Sequence, residues 1–240
     1  MSQFKNKFKN KISIEAVIKH LAISFFYFVA GCSFGVFAGF ILFFLNKVLF
    51  QQIIDLFLKR ITFGVQYLGN YKLWFILNNL VVIFLMITGI LLMMTIFLRK
   101  RRPIKIFNRR FRRMQERPKI TLFSLYMIPL GALFINGFLV ALLLAYTLLN
   151  FGFQKFEGLS LILLPHGINE ILGLLFSSAL GLSYLEVLKP YILSKRWDEA
   201  KKIGGQLLFS RTTAIVAVWI IILIIFSGFL EGSFAVLLKS

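Results

Sequence analysis

The sequence predicts an all-α integral membrane protein, a bundle of about five transmembrane helices accompanied by one interfacial amphipathic helix. Three observations carry that prediction. Apolar runs at about 21–45, 73–98, 120–150, 160–188 and 212–230 each approach or exceed the roughly 20 residues that cross a bilayer. Hydrophobic residues make up 59% of the 240, and the mean hydropathy is +0.84, a composition foreign to soluble domains. The bases behind the net charge of +19 fall mainly between the apolar runs, where topology needs them. That placement argues against a nucleic-acid-binding surface and for contact with anionic lipid.

Residues 1–20 read as a basic cytoplasmic terminus, with Lys5, Lys7, Lys9, Lys11 and Lys19; residues 21–240 read as a single helical membrane domain. The first run is too long for a signal peptide, and no small-residue cleavage site ends it. Val29-Ala30-Gly31-Cys32 loosely resembles a lipoprotein cleavage site, but the apolar run continues past Cys32, the chain's single cysteine, so a membrane span is expected there. One cysteine excludes an intrachain disulfide and a multi-thiolate metal site. Gly31, Gly35 and Gly39 form two overlapping GxxxG patterns on one helical face, the signature of close helix packing. Packing within the chain is expected, with a homo-oligomer as the other use of that face.

From Lys47 to Tyr71, apolar Val48, Ile53, Ile54, Phe57, Leu58 and Ile61 interleave with Gln51, Gln52, Asp55, Lys59 and Arg60 at roughly helical spacing. Such a helix lies in the interface or covers the bundle. The second span opens with Trp74 as an interfacial anchor and carries Asn78-Asn79, amides that need partners inside lipid. Residues 99–119 hold the densest charge: Arg99, Lys100, Arg101, Arg102, Lys105, Arg109, Arg110, Arg112, Arg113, Arg117 and Lys119, against the acid Glu116. This loop is assigned to the cytoplasm. The third span contains Pro129, read as a kink or as the end of an interfacial lead-in, and Asn136-Gly137. Residues 151–158 read as an external turn, and 189–211 as a mixed cytoplasmic segment. The amino terminus is therefore expected inside a cell membrane and the carboxyl terminus outside.

The fourth span holds the most informative stretch, Leu163-Leu164-Pro165-His166-Gly167-Ile168-Asn169-Glu170-Ile171-Leu172-Gly173. An ionisable group at the bilayer centre costs roughly 2.5 kcal/mol or more, so it normally faces a bundle interior or a wet cavity. His166 and Glu170 share a face if helix continues through both. Gly173, Ser177 and Gly181 extend that face as a small-residue ridge. A helix broken at Pro165-His166-Gly167 is the other expectation, since broken helices mark sites in transporters. On the assigned topology Asn79, Asn136, His166, Glu170 and Glu231 all lie in the outer half of the membrane and are expected to converge. His166, Glu170 and Glu231 are candidate ligands for a divalent metal, although no cofactor is required by the pattern. Proton relay and helix locking fit the same residues. HExxH, a nucleophile elbow and a Walker A loop are absent, so no enzyme or nucleotide site is expected.

These elements resemble the stage II sporulation protein M family of multi-pass membrane proteins. The carrying residues are Asn78-Asn79, Asn136-Gly137, Leu164-Pro165-His166-Gly167-Ile168-Asn169-Glu170, Gly181-Leu182 and Leu230-Glu231-Gly232, in order over roughly residues 70 to 235. Ser177-Ser178 departs from the usual Ala-Gly, and Ala141 stands where a second glycine often follows. The resemblance implies a five-span bundle acting as a scaffold or assembly subunit; the namesake works with cell-wall hydrolases during engulfment. Related proteins accompany ATPase subunits in circular-bacteriocin systems, which implies a transport or export subunit as the alternative. An intramembrane metal-dependent enzyme is a third reading. The expected partners are membrane lipids and other membrane or cytoplasmic protein subunits.

Overall fold

The computed structural model describes residues 12–98 and 117–237, apart from some side chains, those of 162–166 and 231–237 among them. Most of the basic block at 99–119 lies outside the described residues. Among the described residues seven helices follow one another: α1 (Ile14–Leu45), α2 (Lys47–Leu68), α3 (Tyr71–Leu98), α4 (Pro118–Phe151), α5 (Phe153–Leu193), α6 (Trp197–Leu208) and α7 (Arg211–Leu237). Among the described residues there is no strand. Helix is the expected outcome, because lipid offers backbone groups no partners and a helix satisfies its own.

Among the described residues four segments are long and apolar enough to cross a membrane: Ile14–Leu45, Pro118–Phe151, Gly167–Leu193 and Arg211–Leu230. The remaining expected span, at 73–98, is helical as part of α3, with a shorter apolar core at Ile76–Leu92. The spans differ in enclosure. In the apolar stretch of α5 72% of the residues are buried, against 22% in that of α1. Helix α1 buries one stripe, Val17, His20, Ser24, Phe28, Gly31, Gly35 and Gly39, and exposes Phe25, Phe26, Phe34, Phe37 and Phe44. An exposed phenylalanine belt on an apolar helix is a surface made for acyl chains.

Helix boundaries depart from the sequence expectation at several places. Helix α1 begins at Ile14 rather than near residue 21, capped by Ser13, whose Oγ accepts from the Ala16 N–H at 3.1 Å. The external turn expected at 151–158 contracts to Gly152, which has a φ of 81°. A left-handed residue lets the chain reverse at once, and α5 starts at Phe153. The break expected at Pro165-His166-Gly167 is absent: α5 runs unbroken from Phe153 to Leu193. Proline removes one backbone donor, but the surrounding turns hold the helix in register. Pro129 likewise lies inside α4 without ending it. The mixed, net basic segment at 189–211, for which no helix is expected or excluded, contains α6, which buries Ala200, Ile203, Gly204 and Leu207. Their spacing is one helical face, the signal that its flanking charges obscured.

The chain divides into two compact units. Unit 1 comprises Met1–Ser24, Ile83–Ala132 and Leu175–Val218; unit 2 comprises Phe25–Val82, Leu133–Leu174 and Trp219–Ser240. In unit 1 the small face of α5 admits α3 closely: a Cβ on Gly181 would lie 3.1 Å from the Met86 carbonyl oxygen. Ser177 and Ser178 are fully buried on the same helix. In unit 2 the glycines of α1 meet α4. A methyl group at Gly31 would strike the Phe134 carbonyl, and one at Gly35 the Phe138 carbonyl. At Gly39 it would come within 2.7 Å of the Ala145 Cβ. The contact is reciprocal, because Gly137 of α4 faces the Phe28 carbonyl and Cys32 of α1. The GxxxG face is therefore occupied within the chain.

Helix α2 covers α4 in the same unit. Phe50 and Ile54 bury against Leu142 and Tyr146, with Ala38, Leu42 and Phe43 around them. Tyr146 donates its hydroxyl to the Gln51 side chain, and Gln51 in turn donates to Asp55 at 2.8 Å. Tyr146→Phe removes the first link while keeping the ring in place. We expect it to lower stability by about 1 kcal/mol, read as detergent-solubilised unfolding, with no change in helical content.

Candidate functional site

All five residues expected to converge, Asn79, Asn136, His166, Glu170 and Glu231, belong to unit 2. The structure joins two of them. The Asn79 amide donates a hydrogen bond to the Glu170 carboxylate, tying α3 to α5. Asn79 is itself approached by Asn78, whose Nδ2 donates to Asn79 Oδ1 at 3.3 Å. Two amides thus stand in series behind one carboxylate. Each donor group polarises the next, which strengthens the last bond onto the charged oxygen. Asn79 is buried and Glu170 is partly enclosed. For a carboxylate in an apolar bundle, this amide offsets desolvation that water would otherwise relieve.

The other three candidates stand as follows. Asn136 is half-buried on α4 and engaged in an interaction. His166 and Glu231 are helical in backbone, but their side chains lie outside the described residues. Because α5 is continuous, His166 and Glu170 occupy positions one turn apart on one face, as the uninterrupted-helix expectation required. Glu231 directly follows the apolar span Arg211–Leu230, as expected, and the α7 backbone continues past it to Leu237. Gly173 and Ser177 of the small-residue ridge are buried and engaged. Among the described residues, no group of three or more His, Cys, Asp or Glu side chains comes together to hold a metal ion.

A second polar site was not anticipated. In unit 1, His20 of α1 lies with Nε2 at 2.9 Å from Glu186 Oε2 on α5. One turn along α1, Ser24 Oγ donates to Ser178 Oγ of α5 at 3.1 Å, fully buried. The sequence expectation places His20 in the basic terminus and gives Glu186 no role. The usable signal was a lone carboxylate within the apolar sequence Tyr184-Leu185-Glu186-Val187-Leu188.

Further polar fastenings end the helices. Tyr184 and Thr213 share a hydroxyl hydrogen bond of 2.9 Å, and Thr213 donates to the Leu207 carbonyl at 2.7 Å. Thr212 donates to the Ile12 carbonyl at 2.8 Å, joining the start of α7 to the residues preceding α1. Each unit thus contains polar side chains that connect one helix to another, Asn79 with Glu170 and Tyr146 with Gln51 in unit 2, and His20 with Glu186, Ser24 with Ser178 and Tyr184 with Thr213 in unit 1. No protein-family model, curated protein or solved structure matches this chain.

Proposed function

We propose that this chain is an integral membrane scaffold or assembly subunit of the kind implied by its resemblance to the stage II sporulation protein M family. The observation that carries the reading is the Asn78–Asn79–Glu170 series, which fastens α3 to α5. A carboxylate answered by a neighbouring amide is suited to holding a fixed arrangement of helices. The glycine contacts between α1 and α4 and the hydroxyl pair between α1 and α5 serve the same end. Rigid presentation of an outer and an inner surface is what an assembly subunit needs. On this reading the amino terminus and the basic residues at 99–119 face the cytoplasm, where they meet a partner subunit or anionic lipid, and the carboxyl terminus lies outside.

The test compares the full chain with Glu170→Ala and His166→Ala in its native membrane. After cross-linking, we expect a stable membrane or wall-associated partner with the unaltered chain, retained when nucleotide is removed, and its loss with either variant despite normal membrane levels. Recovery of an ATP-hydrolysing partner together with ATP-driven solute movement into vesicles would replace this reading with export. A metal-dependent reaction of the purified chain would replace both.

A further inference from the structure

We propose that α2 is a lipid-docking element: its side bearing Leu49, Leu56, Phe63 and Tyr67 takes the acyl chains of one leaflet, while its polar side stays at the headgroups. The inference goes beyond the assembly reading and does not depend on it.

Two apolar sides and one polar side run along α2. Phe50 and Ile54 are buried and pack on Leu142 and Tyr146 of α4. Leu49, Leu56 and Phe63 recur every seven residues, close to two full turns, so they stand nearly in line, and Tyr67 continues that line. These side chains turn away from the bundle: Leu56 is 68% exposed, Phe63 70% and Tyr67 83%. Gln52, Asp55, Lys59, Thr62 and Gln66, at alternating spacings of three and four, fill the remaining side. A helix that merely covers a core needs one apolar side. The second one is a surface for something else, since contiguous exposed apolar patches mark interaction sites.

What meets it follows from its level in the membrane. Gly31, Gly35 and Gly39 of α1 meet Phe134, Phe138 and Ala145 of α4 in turn, so the two helices run parallel. Neither holds a charged residue from Leu21 to Leu45 or from Ile120 to Phe151, so hydrocarbon reaches close to both carboxyl ends. Helix α2 docks inside those ends. A Cβ on Gly39 would lie 3.6 Å from Phe50 Cζ, and Gly39 stands six residues before Leu45, about 9 Å along the axis. Leu142, the other anchor, stands nine residues before Phe151. The apolar surface is also continuous: exposed Phe44 and Leu45 of α1 lead through Asn46 to exposed Val48 and Leu49. At this level the outward apolar side meets acyl chains. Asp55 and Lys59 resist the same depth, because charge in hydrocarbon is costly, and this turns the polar side toward the headgroups. Through Phe50, Ile54 and the Tyr146–Gln51 bond, the depth of α2 is imposed on α4.

Cys32 is the chain's single cysteine, so Cys32→Ala gives a background for site-directed spin labels. The full chain is placed in phosphatidylcholine vesicles with one nitroxide at a time, on Leu49→Cys, Leu56→Cys, Thr62→Cys or Gln66→Cys. Collision with oxygen, which concentrates in hydrocarbon, is compared with collision with a nickel chelate, which stays in water. We expect the oxygen-to-chelate ratio to be several-fold higher for the Leu49 and Leu56 positions than for Thr62 and Gln66, with the first two labels about 5–10 Å below the headgroup boundary. Tyr67→Cys and Lys59→Cys read the same two sides where one of the four variants fails to fold. Equal ratios on both sides of a folded chain overturn the proposal, because the apolar side is then solvated. Shielding of the Leu49 and Leu56 labels from both reagents also overturns it. Spin–spin broadening that unlabelled chain dilutes away would then identify a second copy as the occupant, and its absence another part of this chain.

Discussion

Gly31→Ala is expected to destabilise the protein by about 3 kcal/mol, although the same substitution in most helices stabilises. The added methyl group would strike the Phe134 carbonyl, a backbone atom that cannot swing aside like the end of a flexible side chain. Either α1 and α4 part along their whole contact, losing the reciprocal fit at Gly35, Gly39 and Gly137, or the backbone strains. Gly131 is the internal control. It lies in α4 with nothing within 4 Å of an added Cβ, and Gly131→Ala should stabilise by about 0.5–1 kcal/mol through helix propensity alone. Unfolding of both variants in the same detergent tests the pair. Equal effects of the two substitutions would mean that helix propensity, and not close approach, governs the α1–α4 contact.

Asn79→Leu is expected to be the second most damaging change, at about 2 kcal/mol. It removes the amide that donates to Glu170 and leaves a carboxylate in an apolar surround. Most of that loss should be recoverable. Glu170→Leu in the Asn79→Leu background removes the stranded group, so the double variant should be more stable than Asn79→Leu alone. The coupling measured over the cycle should lie at about 1–2 kcal/mol. Additive losses in the double variant would show that the two side chains act independently and that α3 and α5 are held by packing alone.

Local pattern carried much of the fold and little of the pairing. The apolar runs made the spans legible because length against bilayer thickness is a one-dimensional property. Gly31, Gly35 and Gly39 were legible as an interface, since a four-residue repeat of the smallest side chain can mark only one face. Which helix met that face was not legible: Phe134 and Phe138 announce nothing about carbonyls turned toward a neighbour. Boundaries failed where a tight reversal replaced a loop, as at Gly152, and an amphipathic helix went unread where charges masked it, as at α6. The polar residues separated similarly. Asn79 and Glu170 were singled out because both stand inside apolar runs. His20 was hidden by its basic neighbours, and its partner lies 166 residues away, a distance over which sequence pattern says nothing about register.

The enclosure of α5 also bears on how the protein enters its membrane. Its apolar segment is buried against other helices to a far greater extent than that of α1, and it carries Glu170 and Glu186. A helix of that kind partitions poorly into lipid when alone and well once neighbours screen its polar face. Ribosomal order delivers α1, α3 and α4 beforehand, so those earlier helices can act as the template that retains α5 as it leaves the translocation channel.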